Sequence, residues 1–136
     1  MTLKEFFEND RFAKMAGVQL VEIQPGYARA DMPLRPEVLN ADGYCQGGAL
    51  FTLADLAFAA AVNSHGNVTV SCNSNIVFLK GANKGTLHAE AKEVYDHPRL
   101  PYAEVRITDD EGNLIAVFTS SGYRKHNQPI PISSLI

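Results

Sequence analysis

Positive charge is scarce in this 136-residue sequence: 12 Lys and Arg stand against 15 Asp and Glu, a formal net charge of −3. That balance excludes a general affinity for nucleic acid or for an anionic membrane surface, so an anionic ligand has to be met by a local basic patch. Cysteine is equally sparse. Cys45 and Cys72 are the only two, too few for a disulfide scaffold, and reduced thiols are the expectation. No apolar run reaches the roughly 20 residues a membrane-spanning helix needs. The opening MTLKEFFEND carries acidic residues and no apolar core of signal length, so a cytoplasmic, soluble protein is expected. The four histidines, His65, His88, His97 and His126, share no metal-ligand spacing with each other or with the cysteines, and no metal or cofactor is expected.

What is present is an ordinary globular balance, 46% hydrophobic and 20% charged, in a chain long enough for one domain with a real core over residues 1–136. The chain is organised around Asn40–Ser64, NADGYCQGGALFTLADLAFAAAVNS. From Ala49 to Val62 this stretch is apolar on nearly every face, the mark of a buried helix. One carboxylate, Asp55, interrupts it, and no Lys or Arg occurs between Arg35 and Lys80. A buried carboxylate without a local cation is expensive unless it is hydrogen-bonded or used. At the helix start, Gly47 and Gly48 follow Gln46. The glycines let a ligand approach the backbone, where free N–H groups and the positive end of the helix dipole could hold an oxyanion. Asp55 lies roughly 10–12 Å further along the axis at about 1.5 Å per residue. That is too far for both to act on one carbonyl carbon within one chain. Either they serve different purposes, or a second subunit brings its Asp55 to Gly47, in a dimer with sites at its interface.

Around this helix the expected order is a short N-terminal helical region over residues 2–15, two strands, the buried helix, and four strands. Thr2 and Glu5 have capping-box spacing. Strands are expected over 17–24 and 27–34, joined by Pro25-Gly26, and over 67–80, 86–95, 102–108 and 113–123. An irregular tail follows over 124–136, with Ile130, Ile132, Leu135 and Ile136 available to dock on a neighbour. Short connections imply an antiparallel sheet of about five to six strands curled around the long helix, an α+β domain.

The string N-x5-Q-G-G-x6-D, carried by Asn40, Gln46-Gly47-Gly48 and Asp55 and followed by four strands, resembles the hotdog-fold acyl-CoA thioesterases. It is most similar to their phenylacetyl-CoA and 4-hydroxybenzoyl-CoA thioesterase branch. The resemblance spans about Gly17 to Arg124, including VSCNSNIVFLKGANKG and DDEGNLIAVF. It implies a hotdog fold and hydrolysis of an acyl-CoA thioester without metal or redox cofactor, coenzyme A entering as part of the substrate. It also implies a homodimer or a dimer of dimers, each site built from two protomers. By the same resemblance Asp55 activates water or attacks the carbonyl, and the Gly47 N–H holds the oxyanion. Asn40 positions the thioester or the water, and Ser71 bonds the water. Gly48, Phe51, Asn73, Phe78 and Lys80 are the candidate substrate contacts; Phe51, Phe58 and Phe78 serve equally well as core. Gln46 stands where this branch usually has His. An amide donates a hydrogen bond but carries no proton near neutrality. The alternative is therefore a non-catalytic protein that binds acyl-CoA or another small apolar ligand, and acyl-thioester hydration ranks last because no His neighbours Asp55. Cys45 has no His to activate it and reads as a buried filler.

Overall fold

The computed structural model describes residues 1–136. In chain order its elements are helices α1 (Leu3–Phe7) and α2 (Arg11–Ala16), strands β1 (Gln19–Gln24) and β2 (Tyr27–Pro33), helix α3 (Gly47–Asn63), and strands β3 (Asn67–Phe78), β4 (Thr86–Tyr95), β5 (Tyr102–Thr108) and β6 (Leu114–Pro129). Thr2 and Glu5 do form a reciprocal cap on α1, each backbone N–H donating to the other's side-chain oxygen at 3.0 Å. Asp10 caps α2, and Gly17 ends it in the left-handed region (φ 89°). The N-terminal region is thus two short helices.

All six strands form one antiparallel sheet in the order β1-β2-β4-β5-β6-β3. Sequence neighbours do not always pair: β3, the strand directly after α3, crosses to the far edge and pairs with β6. The tail differs from expectation. β6 continues through Pro129 because β3 is long enough to supply partners as far as Asn67, so the irregular segment begins only at Ile130. That segment docks on its own chain. Ile130 is buried in the core, and Leu3 N–H donates to Ser134 O at 2.9 Å.

The core is the contact between α3 and the concave face of the sheet. Leu53, Ala54, Ala57, Ala60, Ala61 and Val62 have no exposed surface, and the strands present Ala28, Ala30, Ala89, Ala91, Ala103 and Ala116 to them. Alanine on both sides lets helix and sheet approach closely. Phe58, Phe118, Leu87, Ile107 and Ile115 fill the wider gaps where the sheet curls away. The helix ends in side-chain clasps. Asn63 donates to Ala59 O and Thr69 O and accepts from Thr69 N–H at 2.8–3.0 Å. Ser64 Oγ accepts from Gly26 N–H in the β1–β2 turn at 2.7 Å. No helix is long and apolar enough to cross a membrane.

On the convex face, His88 of β4 bridges two carboxylates, Asp31 of β2 and Asp110 of the β5–β6 turn, at 2.8 Å each. Partial burial pulls the imidazole pKa down, but the bonds to Asp110 and Asp31 outweigh it and hold the pKa above its ordinary 6.5. A raised histidine pKa stabilises the fold below 6.5, and that contribution is lost as pH climbs through the folded-state value. The melting temperature of His88→Gln is therefore expected to fall furthest below wild type near pH 6, and the gap to narrow by pH 9; a gap that widens with pH would contradict the bridge.

Candidate active site

The start of α3 is built by the loop before it. Asn40 Oδ1 accepts from the N–H groups of Asp42 and Tyr44 at 2.9 and 3.1 Å, closing the turn that delivers the chain to Gln46. Cys45 N–H and Gln46 N–H then donate to Ala82 O and Val38 O, fixing the entry. Gln46 is the N-cap. Its Oε1 accepts from Gly48 N–H at 2.5 Å and Ala49 N–H at 3.2 Å. The amide nitrogen of that side chain stays free. So does the N–H of Gly47, which donates to nothing within the chain. The helix therefore exposes one unsatisfied backbone donor at its positive end, with an amide N–H donor beside it.

Gly47 also borders the last residue of β3, Phe78. A Cβ there would sit 3.0 Å from Cζ of Phe78, a tight contact that the exposed end of the ring relieves by shifting a few tenths of an ångström. Phe51 faces inward, its ring edge-on to Phe118 with centroids 5.2 Å apart, and Phe58 is wholly buried beside the same ring. Phe58 acts as core, and Phe51 packs half-buried against it. Phe78 is the aromatic that borders the site.

Two turns further on, Asp55 is half-buried on α3 with Ser71 Oγ donating to it at 3.5 Å, and no cation pairs with it. Desolvation raises its pKa above the ordinary 3.8, the negative charge of Asp10 adds to the rise, and the Ser71 bond offsets part of it. A β-bulge makes that bond possible. The register of β3 on β6 shifts between Ser71 and Asn73, leaving Cys72 as the extra residue. Ser74 turns inward onto Ser120 at 2.8 Å. Without the bulge, alternation would turn Ser71 outward; with it, Ser71 and Ser74 both face the helix side. Asn73 and Lys80 are exposed, Asn73 beside the bulge and Lys80 just past β3 near Asp109.

Three features escaped the sequence. Asp10 belongs to the electrostatic surroundings of Asp55 although it lies 45 positions earlier in the chain, counting from the two residue numbers. The bulge has no residue signature. At the other end of α3, His65, Glu93 and Asp96 place ligand-type atoms within 4.8 Å of one another. There Arg124 already holds Asp96 at 2.8 Å and Glu93 at 3.8 Å, so the cluster is an ion-pair network whose cation is a guanidinium. Cys45 matches its expectation as a filler: burial pushes its thiol pKa up to about 11, far from a thiolate nucleophile.

A carboxylate held above its ordinary pKa destabilises the native state wherever it is ionised. Native Asp55 binds its proton more tightly than the unfolded chain does, so stability falls as pH rises from 3.8 through the folded-state value. Asp55→Asn is accordingly expected to melt higher than wild type at pH 7, with the gain vanishing near pH 3. An Asn variant that melts lower at pH 7 would show that the charge is compensated.

Comparison with known proteins agrees with this architecture. Residues 42–116 match the family model of the thioesterase superfamily. Acyl-coenzyme A thioesterase PaaI of Escherichia coli K12 is 33% identical over 119 residues, covering 87% of this chain and 85% of its own. The structure of the E. coli PaaI protein from the phenylacetic acid degradation operon superposes with a TM-score of 0.87 at 31% identity, covering 91% of each chain. That of TT0310 from Thermus thermophilus gives 0.81 at 30% identity, covering 86% of this chain and 99% of its own. With its central helix wrapped by a six-stranded antiparallel sheet, the chain has the hotdog fold and belongs to the thioesterase superfamily.

Proposed function

We propose that the protein hydrolyses acyl-CoA thioesters, at sites each shared by two protomers. The observation that carries this reading is the pairing of an unsatisfied Gly47 N–H with an unpaired, partly desolvated Asp55 on the same helix. The thioester carbonyl oxygen accepts from Gly47 N–H and from the free amide of Gln46, which polarises it and holds the oxyanion as the carbonyl carbon becomes tetrahedral. Asp55 takes a proton from the attacking water, oriented by Ser71, or attacks the carbonyl itself to form an anhydride that water then opens. The C–S bond breaks with its electron pair on sulfur, and the free acid and coenzyme A leave. Similarity to PaaI, itself named an acyl-coenzyme A thioesterase, supports the substrate class.

The two groups sit roughly 12 Å apart along α3 at about 1.5 Å per residue, and β3 offers the way to bring them together. It is an edge strand of 12 residues without a charge or a proline, its Val70 and Val77 nearly half exposed. Edges so long and unguarded invite another strand. Antiparallel pairing with a second copy about a two-fold axis at Asn75 keeps inward residues opposite inward residues, Ser74 facing Ile76 of the partner subunit. The Ser71–Cys72 bulge then meets Phe78 of the partner subunit. Since Ser71 touches Asp55 and Phe78 lies on Gly47, this register sets Asp55 beside Gly47 of the partner subunit.

Thiol release from a panel of acyl-CoAs tests the chemistry. Asp55→Asn is expected to lower kcat by about 10²–10⁴-fold, the usual worth of a positioned general base, and unchanged turnover would refute its role. Mixed dimers test the sharing. Gly47→Pro deletes the N–H at a helix position that tolerates proline, and Gln46 already has an extended backbone suited to precede it. Each variant alone should be inactive. Re-associated, Asp55→Asn with Gly47→Pro subunits should regain activity, because one of the two sites in each mixed dimer is intact. No recovery, with mixed dimers shown to form, would place both groups within a single chain.

A further inference from the structure

We propose that the groove between α2 and the first turns of α3 takes the acyl group of the substrate, and that Phe12 and Met15 select for an uncharged, apolar acyl group larger than acetyl, straight-chain or aryl. The groove encloses about 510 Å³, within the ordinary range for small-molecule sites. Phe12 and Met15 form one wall, Val38 and Leu39 another, and Ala49 and Thr52 of α3 the floor.

Three observations point to a ligand. First, Phe12 and Met15 are 64% and 67% exposed, among the most exposed apolar side chains of the chain, and they stand one helical turn apart. The side chain that α2 buries is the small Ala13. Second, the wall is anchored through its backbone. Asp10 caps α2, and the Arg35 guanidinium donates to Met15 O at the other end. The two large side chains are left free to adapt, and an unbranched thioether suits irregular apolar partners. Third, Gln46 and Gly48 line the same groove. It therefore opens where the carbonyl of a thioester on Gly47 N–H would lie, and the chain beyond that carbonyl has an apolar channel directly ahead. Charge sets the class. Arg35 and Glu37 are the charged residues lining the groove, and they pair with each other at 3.4 Å. A second carboxylate on the acyl group finds no free cation there.

This assignment rests on the thioesterase reading, and the test separates the two. Specificity constants for acetyl-, octanoyl-, phenylacetyl- and succinyl-CoA are compared in wild type, Phe12→Asp and Met15→Glu, exposed positions where folding is checked by circular dichroism. Wild type is expected to favour octanoyl- or phenylacetyl-CoA over succinyl-CoA. Each variant should reduce the octanoyl-to-acetyl ratio of kcat/KM by about tenfold or more, in line with pocket discrimination between apolar groups. An unchanged ratio, or an equal loss on every acyl group, overturns the assignment. So does a change in sedimentation of either variant, which would make the groove a contact between subunits. If wild type hydrolyses no thioester, the catalytic reading falls and the groove is still tested by binding. A non-hydrolysable octanoyl-CoA thioether should then bind wild type more tightly than coenzyme A does, with that advantage lost in Met15→Glu; equal advantage in both overturns the assignment.

Discussion

The structure depends on burying one helix that has no polar face. Nothing about α3 would be stable in water, so the sheet must curl around it, and the alanines on both surfaces set how tightly it can do so. Each end of the helix is then committed to polar side-chain work. Asn63 and Ser64 tie its C-terminal end to β3 and to the β1–β2 turn. Gln46 caps the N-terminal end with one atom of its amide and leaves the other for use. Because the helix is buried by necessity, any carboxylate placed on it is carried into a low-dielectric setting. Asp55 owes its raised pKa first to that burial. Fold and reactivity thus have one cause, since the packing that stabilises the molecule also makes the one carboxylate of α3 basic.

The second constraint comes from β3. Its partner β6 satisfies one edge, and the other is long and uncharged. Natural edge strands usually carry lysine, proline or an inward charge to prevent pairing, and β3 has none of these. Of its two irregularities, the Cys72 bulge leaves the outer edge open and turns Ser71 toward Asp55. A bulge so close to a candidate catalytic group fits the general placement of bulges next to active sites. In the proposed dimer the strand therefore combines two tasks, carrying the serine that bonds the carboxylate and presenting the surface through which a second copy completes the site.

Much of this was legible in the residues, and the divisions have physical reasons. The all-apolar run of α3, the alternation of the strands and the capping box of α1 are local signals, and they emerged close to their observed limits. The glycine pair and the isolated Asp55 stood out because each violates what a simple core helix would contain. Strand order was not legible, because β3 reaches β6 through contacts between segments some 50 residues apart. The extension of β6 into residues 124–129 escaped for the same reason: Arg124, Lys125 and His126 have no strand-like alternation, and their ladder is imposed by the length of β3. Phe58 could be core or pocket on spacing alone, and only its burial beside Phe118 decides for core. Phe12 and Met15 fall in the N-terminal helical region, but which way they face was not legible from residues 2–15. They lie outside, and Ala13 is the residue that α2 turns to the core.

Gln46 in place of histidine has a chemical consequence for the proposed reaction. A histidine at that point could protonate a leaving group, and glutamine cannot. Whether that matters depends on what leaves. An amine or alkoxide expelled from a tetrahedral intermediate needs a proton, whereas a thiol, with an ordinary pKa near 8.5, departs as a thiolate that is stable in water. Hydrolysis of a thioester thus requires a base and an oxyanion donor and can proceed without a general acid. In the proposed reaction Asp55 with Ser71 provides the first, and the Gly47 N–H with the Gln46 amide the second. Glutamine also adds what a single histidine nitrogen would have to divide between two tasks, since its oxygen satisfies the Gly48 and Ala49 N–H groups while its nitrogen faces outward. By this reasoning the substitution narrows the chemistry to substrates with good leaving groups, and a thioester is the class that such a site is equipped to cleave.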